Sequence, residues 1–134
     1  IRADSVVPEL VWIAGLAEAY AASQFAATAT GFTSGLANIA PNMSLDYFNA
    51  LTAGDFAAAF VQWQRIREFE ELRARDNNAL NVSVVKEALH QIGLCRRDVR
   101  PPISTLSSAD RDHVSRMLNA WALGTPAAAA GRIG

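Results

Sequence analysis

The chain has 134 residues, 51% of them hydrophobic and 19% charged, with a formal net charge of -1. That length bounds it to one domain with a real core, and the composition excludes disorder for its bulk. A phosphate-tracking surface needs clustered cations, and no basic run exceeds Arg96-Arg97, so no nucleic acid partner is expected.

A single cysteine, Cys95, excludes an internal disulfide and a thiolate metal cage, which fits a reducing, cytoplasmic setting. Ile1-Arg2-Ala3-Asp4 does not open a secretory leader, and no apolar window approaches the roughly 18 residues of a membrane span, so no membrane partner is expected either. Lys86 is the only lysine among 12 basic residues, which restricts amine chemistry to one position.

Taken in order, Leu10-Val11-Trp12-Ile13-Ala14 after Pro8-Glu9 is a continuous apolar run closed by Gly15, the pattern of a strand buried on both faces of a parallel sheet. Glu18 to Thr28 is alanine-rich with Tyr20, Ala21, Gln24 and Phe25 at helical spacing, and Thr30-Gly31 stops it. Phe32 to Ile39 reads as a second strand and its exit loop. The right-handed crossover rule then makes the two strands parallel. Within Gly31 to Pro41, two glycines allow close approach to the backbone and Thr33 and Ser34 offer hydroxyls, the composition of a strand end that faces a ligand.

Beyond Pro41 the patterns are helical. Pro41 suits a first helical turn, Leu45, Phe48 and Leu51 mark one face, and Gly54 ends the element. Asp55 is placed to cap a helix whose Phe56, Phe60, Trp63, Ile66, Phe69 and Leu72 form a core stripe, with Arg67, Glu70, Glu71, Arg73 and Arg75 on a solvated face. Asp76-Asn77-Asn78 breaks it, and Asn81 is expected to cap a helix with Val82, Val85, Ala88, Leu89 and Ile92 inward, ending at Gly93. Arg96 to Ile103, with Pro101-Pro102, is extended and expected to lie as a strap across the helices. Ser107 or Ser108 caps the last helix, whose Val114, Met117, Leu118 and Trp121 form its buried stripe before Gly124 and Pro126. Ala127 to Gly134 is a loose tail.

Gly15-Leu16-Ala17-Glu18, Gly31-Phe32-Thr33-Ser34-Gly35, Asn38-Ile39-Ala40-Pro41, Ala53-Gly54-Asp55, Val85-Lys86-Glu87-Ala88-Leu89, Gly93 and Val99-Arg100-Pro101-Pro102-Ile103 occur in this order. The ordered set resembles the C-terminal part of the dihydrodipicolinate synthase and N-acetylneuraminate lyase family, from about Val11 to Leu123. The resemblance implies an α/β fold, the last two strands and helices of a (β/α)8 barrel over residues 1–54, then an all-helical C-terminal extension over residues 55–126 and the tail over 127–134. It implies a Schiff-base lyase acting on a small 2-keto acid, of synthase or aldolase type, needing no cofactor or metal and assembling as a homo-oligomer, a tetramer by analogy.

In that family the Schiff-base lysine lies on an earlier strand, so no catalytic residue is expected within this chain, which by itself should be inactive. Lys86 falls on an extension helix and is expected to be structural. By resemblance, Gly15 leaves room for substrate at the seventh strand, and Ala17 and Glu18 fall where relatives touch the substrate's hydroxylated tail. Relatives often carry aspartate at the position of Ala17, which leaves the tail open. Thr33 and Ser34 line the keto-acid pocket at the eighth strand. Glu18 and Asn81-Val82-Ser83-Val84-Val85-Lys86 are also similar to the branch that dehydrates keto-deoxy sugar acids, the first alternative. A non-catalytic helical interaction module is the second. His90 and His113 have no partner at ligand spacing, Cys95 has no base beside it, and Glu70-Glu71 are expected to be solvated.

Overall fold

The computed structural model describes residues 10–124, which divide into two compact units at Glu70/Glu71. The terminal features Pro8-Glu9, Ile1-Arg2-Ala3-Asp4, Pro126 and the tail lie outside the described residues.

In the first unit, β1 (Ile13–Ala14) pairs in parallel with β2 (Gly31–Phe32), Ile13 opposite Gly31 and Ala14 opposite Phe32. Thr30 N–H to the Trp12 carbonyl and Thr33 N–H to the Ala14 carbonyl, both 2.9 Å, extend the ladder. The connection is α1 (Ala17–Ala26). Its alanines favour helix and allow close approach to both strands, with Ala21 fully buried. The crossover is as the sequence predicts, but its strands are shorter and barer. Val11 is 75% exposed and Ile13 54%, so β1 is not buried on both faces, because among the described residues only β2 pairs with it. The second strand stops at Phe32, where the Ser34 hydroxyl accepts the Ala37 N–H at 2.8 Å and turns the chain into a 3-10 turn over Leu36–Asn38.

Pro41 opens α2 (Pro41–Thr52), its missing N–H harmless in a first turn. The buried positions are Met43, Ser44, Tyr47 and Leu51. Of the expected face only Leu51 is buried, while Phe48 is half-buried and Leu45 is exposed. The face rotates because α2 meets α1 and the 3-10 turn, and Ser44 is held inward by a carboxylate described below. Phe25, Phe32, Tyr47 and Phe48 make an aromatic cluster with ring centroids 6.0 to 6.2 Å apart in tilted or edge-on arrangements. Gly54, at φ 71°, takes the left-handed turn that lets α2 end, a conformation costly for other residues.

The Asp55 carboxylate accepts the Ala58 N–H at 2.9 Å and caps α3 (Phe56–Asn78) as expected. Its stripe is only partly core. Ile66, Phe69 and Leu72 are buried, but Phe56 and Phe60 are exposed, and at that end of the helix the buried residue is Ala59. Glu70 is buried and not solvated, so the charged face is narrower than the sequence implies.

In the second unit α3 leaves helical geometry at Arg75, Asp76 and Asn77, where the predicted break falls. Asp76, Asn77 and Asn78 all have positive φ, which short polar side chains tolerate. The helix that follows is α4 (Asn81–Gln91). Asn81 does not cap it. Leu80 stands at that position, and the Asn81 side-chain oxygen instead accepts from Arg73 Nε at 3.0 Å and Nη2 at 2.6 Å. Arg73 is buried, and a desolvated guanidinium takes the acceptor a cap would have used.

The inward residues of α4 are Ser83, Val84, Glu87 and Ala88, whereas the sequence favours Val82, Val85, Ala88, Leu89 and Ile92. Polar pairing explains the rotation. Ser83 donates to the Ser104 carbonyl, and Glu87 accepts from Gln91 at 2.9 Å with Arg97 at 3.5 Å. Those contacts also hold the irregular segment 96–106 against α4. Ser107 caps α5 (Ser108–Ala120), accepting the Asp110 N–H at 3.2 Å. Val114, Met117 and Leu118 are buried as predicted, and Trp121 half-buried just beyond the helix.

Candidate functional site

The expected site residues lie where β1 and β2 end. Gly15, Ala17 and Glu18 follow β1, and Thr33 and Ser34 follow β2. Gly15 is exposed, and a Cβ there would meet nothing within 4 Å, so no atom of the described residues demands a glycine. Ala17 turns the chain into α1 at φ 54°, a left-handed conformation costing an alanine on the order of 1 kcal/mol. Thr33 is exposed, its N–H held by the Ala14 carbonyl.

Glu18 and Ser34 are brought together. The Glu18 side chain is fully buried in the first turn of α1, and its Oε1 accepts from the Ser34 hydroxyl and from the Ser44 hydroxyl, the latter at 2.8 Å. The two serine oxygens stand 3.1 Å apart. Glu18 Oε2 is buried with no hydrogen-bond partner among the described residues. Burying a carboxylate is expensive unless charge-assisted hydrogen bonds compensate, and both hydroxyls converge on one oxygen only. A further consequence reaches Tyr47. Burial pushes its phenol above the ordinary value, hydrogen bonding to the Ala22 backbone opposes that, and the Glu18 charge adds to the rise.

Ser44 is the residue that sequence reasoning missed. Its one signal is position, a serine between Met43 and Tyr47 on the buried side of α2, and that side is not the one the apolar spacing marks. The candidates His90, His113, Cys95 and Lys86 belong to the second unit. His90 Nδ1 lies 3.2 Å from the Cys95 carbonyl, and the Cys95 thiol 3.9 Å from the Lys86 carbonyl, all within the second unit. Among the described residues no three metal-ligating side chains gather, and no helix is long and apolar enough to cross a membrane.

A model of the dihydrodipicolinate synthetase family matches residues 2–121. The chain belongs to this family. It is 38% identical over 86 residues to the 4-hydroxy-tetrahydrodipicolinate synthase of Phenylobacterium zucineum, covering 63% of this chain and 28% of that protein. With a protein of Allorhizobium ampelinum named a probable 5-dehydro-4-deoxyglucarate dehydratase it shares 29% identity over 115 residues, 84% of this chain and 38% of the relative. The crystal structure of dihydrodipicolinate synthase from Oceanobacillus iheyensis superposes with a TM-score of 0.78 at 38% identity, covering 84% of this chain and 37% of that one. The chain thus spans well under half the length of these members of its family, and the family named from the sequence motifs is the one found.

Proposed function

We propose that this chain is the C-terminal part of a lyase that acts on 2-keto acids through a lysine Schiff base, its residues 1–54 completing a (β/α)8 barrel and residues 55–126 forming a helical extension. The carrying observation is the convergence of Glu18, Ser34 and Ser44 at the C-terminal ends of two parallel strands, where barrel enzymes place their chemistry. Gly15, Ala17, Glu18, Thr33 and Ser34 form this chain's share of the substrate wall, with Glu18 hydrogen-bonded to Ser34. The nucleophilic lysine comes from outside these residues. Lys86 lies on α4 in the second unit and has a structural role. The substrate is a small pyruvate-like keto acid, and the assembled enzyme is a cytoplasmic homo-oligomer.

A Schiff base turns the substrate's keto carbon into an electron sink, so bonds beside it can be made, broken or dehydrated. The presence of both a synthase and dehydratases among the relatives supports this shared chemistry, and the dehydratase reading stays as the alternative because Glu18 follows that branch's pattern. Borohydride reduction in the presence of pyruvate and hydroxylated keto acids tests the proposal on a barrel protein that carries this chain. A keto-acid mass added irreversibly to a lysine is the expected result, and its absence with every keto acid removes the Schiff-base reading. In the same protein Ser34→Val is expected to raise the keto-acid KM about tenfold, the loss of one hydrogen bond to a charged or polar ligand.

A further inference from the structure

We propose that the second unit carries a binding site for a small monocarboxylate, held between Arg97 on segment 96–106 and Arg111 on α5. The site belongs entirely to that unit and does not rest on the lyase reading. Its floor is Glu87 on α4, whose side chain is 3% exposed. Glu87 Oε1 accepts from Gln91 at 2.9 Å, while Arg97 Nε and Arg111 Nε stand 3.5 and 3.9 Å from Oε2, both beyond ordinary hydrogen-bond length. One buried anion therefore faces two cations, and neither guanidinium donates a hydrogen bond among the described residues. Arg111 Nε is itself buried, and a buried N–H without an acceptor is costly.

Both arginines line a cleft of about 280 Å3, together with Gln91, Ser108, Ser115 and Asp112. The Ser108 and Ser115 hydroxyls have no hydrogen bond among the described residues, so they add donors to the same space. A carboxylate is planar and takes parallel bonds from guanidinium forks, which suits donors that reach one cleft from two elements. Charge narrows the class further. Arg97 and Arg111 against Glu87 leave one positive charge, which a monocarboxylate neutralises, whereas the exposed Asp112 of the same lining repels a second negative charge such as that of phosphate. Asp98 does not compete for the arginines, since Arg96 Nε holds it at 2.7 Å. An acid bound here ties segment 96–106 to α5 through its two oxygens, so binding raises the stability of the second unit.

The test is a magnetic-resonance titration of the full, isotope-labelled chain with sodium propionate at constant ionic strength, following the arginine Nε–H signals. Those of Arg97 and Arg111 are expected to shift and to saturate with a dissociation constant on the order of 1–10 mM. Arg97→Gln is expected to weaken binding about tenfold, the loss of one charge-assisted fork. Ser115→Leu fills the cleft and keeps both arginines, so the same loss is expected there and the inference stays testable if Arg97→Gln does not fold. Arg116→Gln, exposed on α5 and outside the cleft, is expected to bind as the unsubstituted chain does. Equal shifts with sodium chloride or with phosphate overturn the carboxylate class. An Arg111 Nε–H signal that propionate leaves in place means that water alone fills the cleft, which overturns the site. Saturable binding that survives both Arg97→Gln and Ser115→Leu overturns its location.

Discussion

Residues 10–70 and residues 71–124 solve the problem of burial in different ways. In the first unit the sheet has two strands, and ten of the thirteen exposed large hydrophobics among the described residues lie there, from Leu10 to Val61. In the second unit only Val82, Leu94 and Ile103 are exposed, and the buried charges are paired. Arg73 meets Asn81, Glu87 meets Gln91 and Arg97, and Asp110 is gripped by Arg75 at 2.8 Å and also accepts from Ser107 at 2.7 Å. The contrast teaches that one unit covers most of its apolar surface and hydrogen-bonds its buried Arg73, Glu87 and Asp110 side chains, leaving Arg111 Nε without a hydrogen bond among the described residues, while the other presents strand edges and apolar side chains of the kind that natural sheets cover.

The largest expected effect lies in the second unit. Leu118→Ala empties a site 1% exposed on α5 and should cost about 2–5 kcal/mol in chemical denaturation of this chain. A cost near zero would mean that the second unit is not the stable partner in the comparison.

The next effect is electrostatic. The Arg75 guanidinium first, and the Ser107 hydroxyl second, hold the Asp110 carboxyl down to about 2. Its folded value is below its unfolded one, so its contribution is complete above roughly pH 4 and is lost as pH falls toward 2. Asp110→Asn should lower stability by roughly 1–2 kcal/mol at pH 7, discounted for the exposure of Arg75, and should flatten the stability profile between about pH 4 and 2. A profile with the same slope in both proteins would remove Asp110 from the account.

The smallest effect belongs to the uncovered unit. Val11→Thr changes a β-branched side chain 75% exposed and should shift the melting of this chain by no more than about 0.5 kcal/mol. In a protein carrying a complete barrel the same substitution should cost more, about 1–2 kcal/mol, since the residue would then be packed. Equal costs in the two contexts would erase the distinction drawn between the units.

Much of the helical part was legible because caps and stops are local. Pro41, Gly54, Asp55 and Ser107 act where the sequence places them, Pro41 and Gly54 through their own backbone geometry and Asp55 and Ser107 through bonds to residues within a turn. Helix faces were less legible, because periodicity counts apolar residues and takes no account of a polar residue that finds a partner. Ser44 and Glu87 are buried for what they bind, and Asn81 gives its oxygen to Arg73 instead of capping. The candidate site was read by resemblance as separate positions. Its cluster spans Glu18, Ser34 and Ser44, sequence separations of 16 and 26 residues, which no local pattern encodes.

The parallel pairing of β1 with β2 also has a kinetic consequence. Thr30 and Trp12, bonded across the strands, are only 18 residues apart, and most of the intervening chain is the alanine-rich helix α1. Closing so short a loop loses little chain entropy, and helix formation shortens it further, so this strand pair is expected to form early in folding. Its uncovered edges then exist before anything packs on them, which makes the interval between pairing and covering the period in which this protein is most open to self-association.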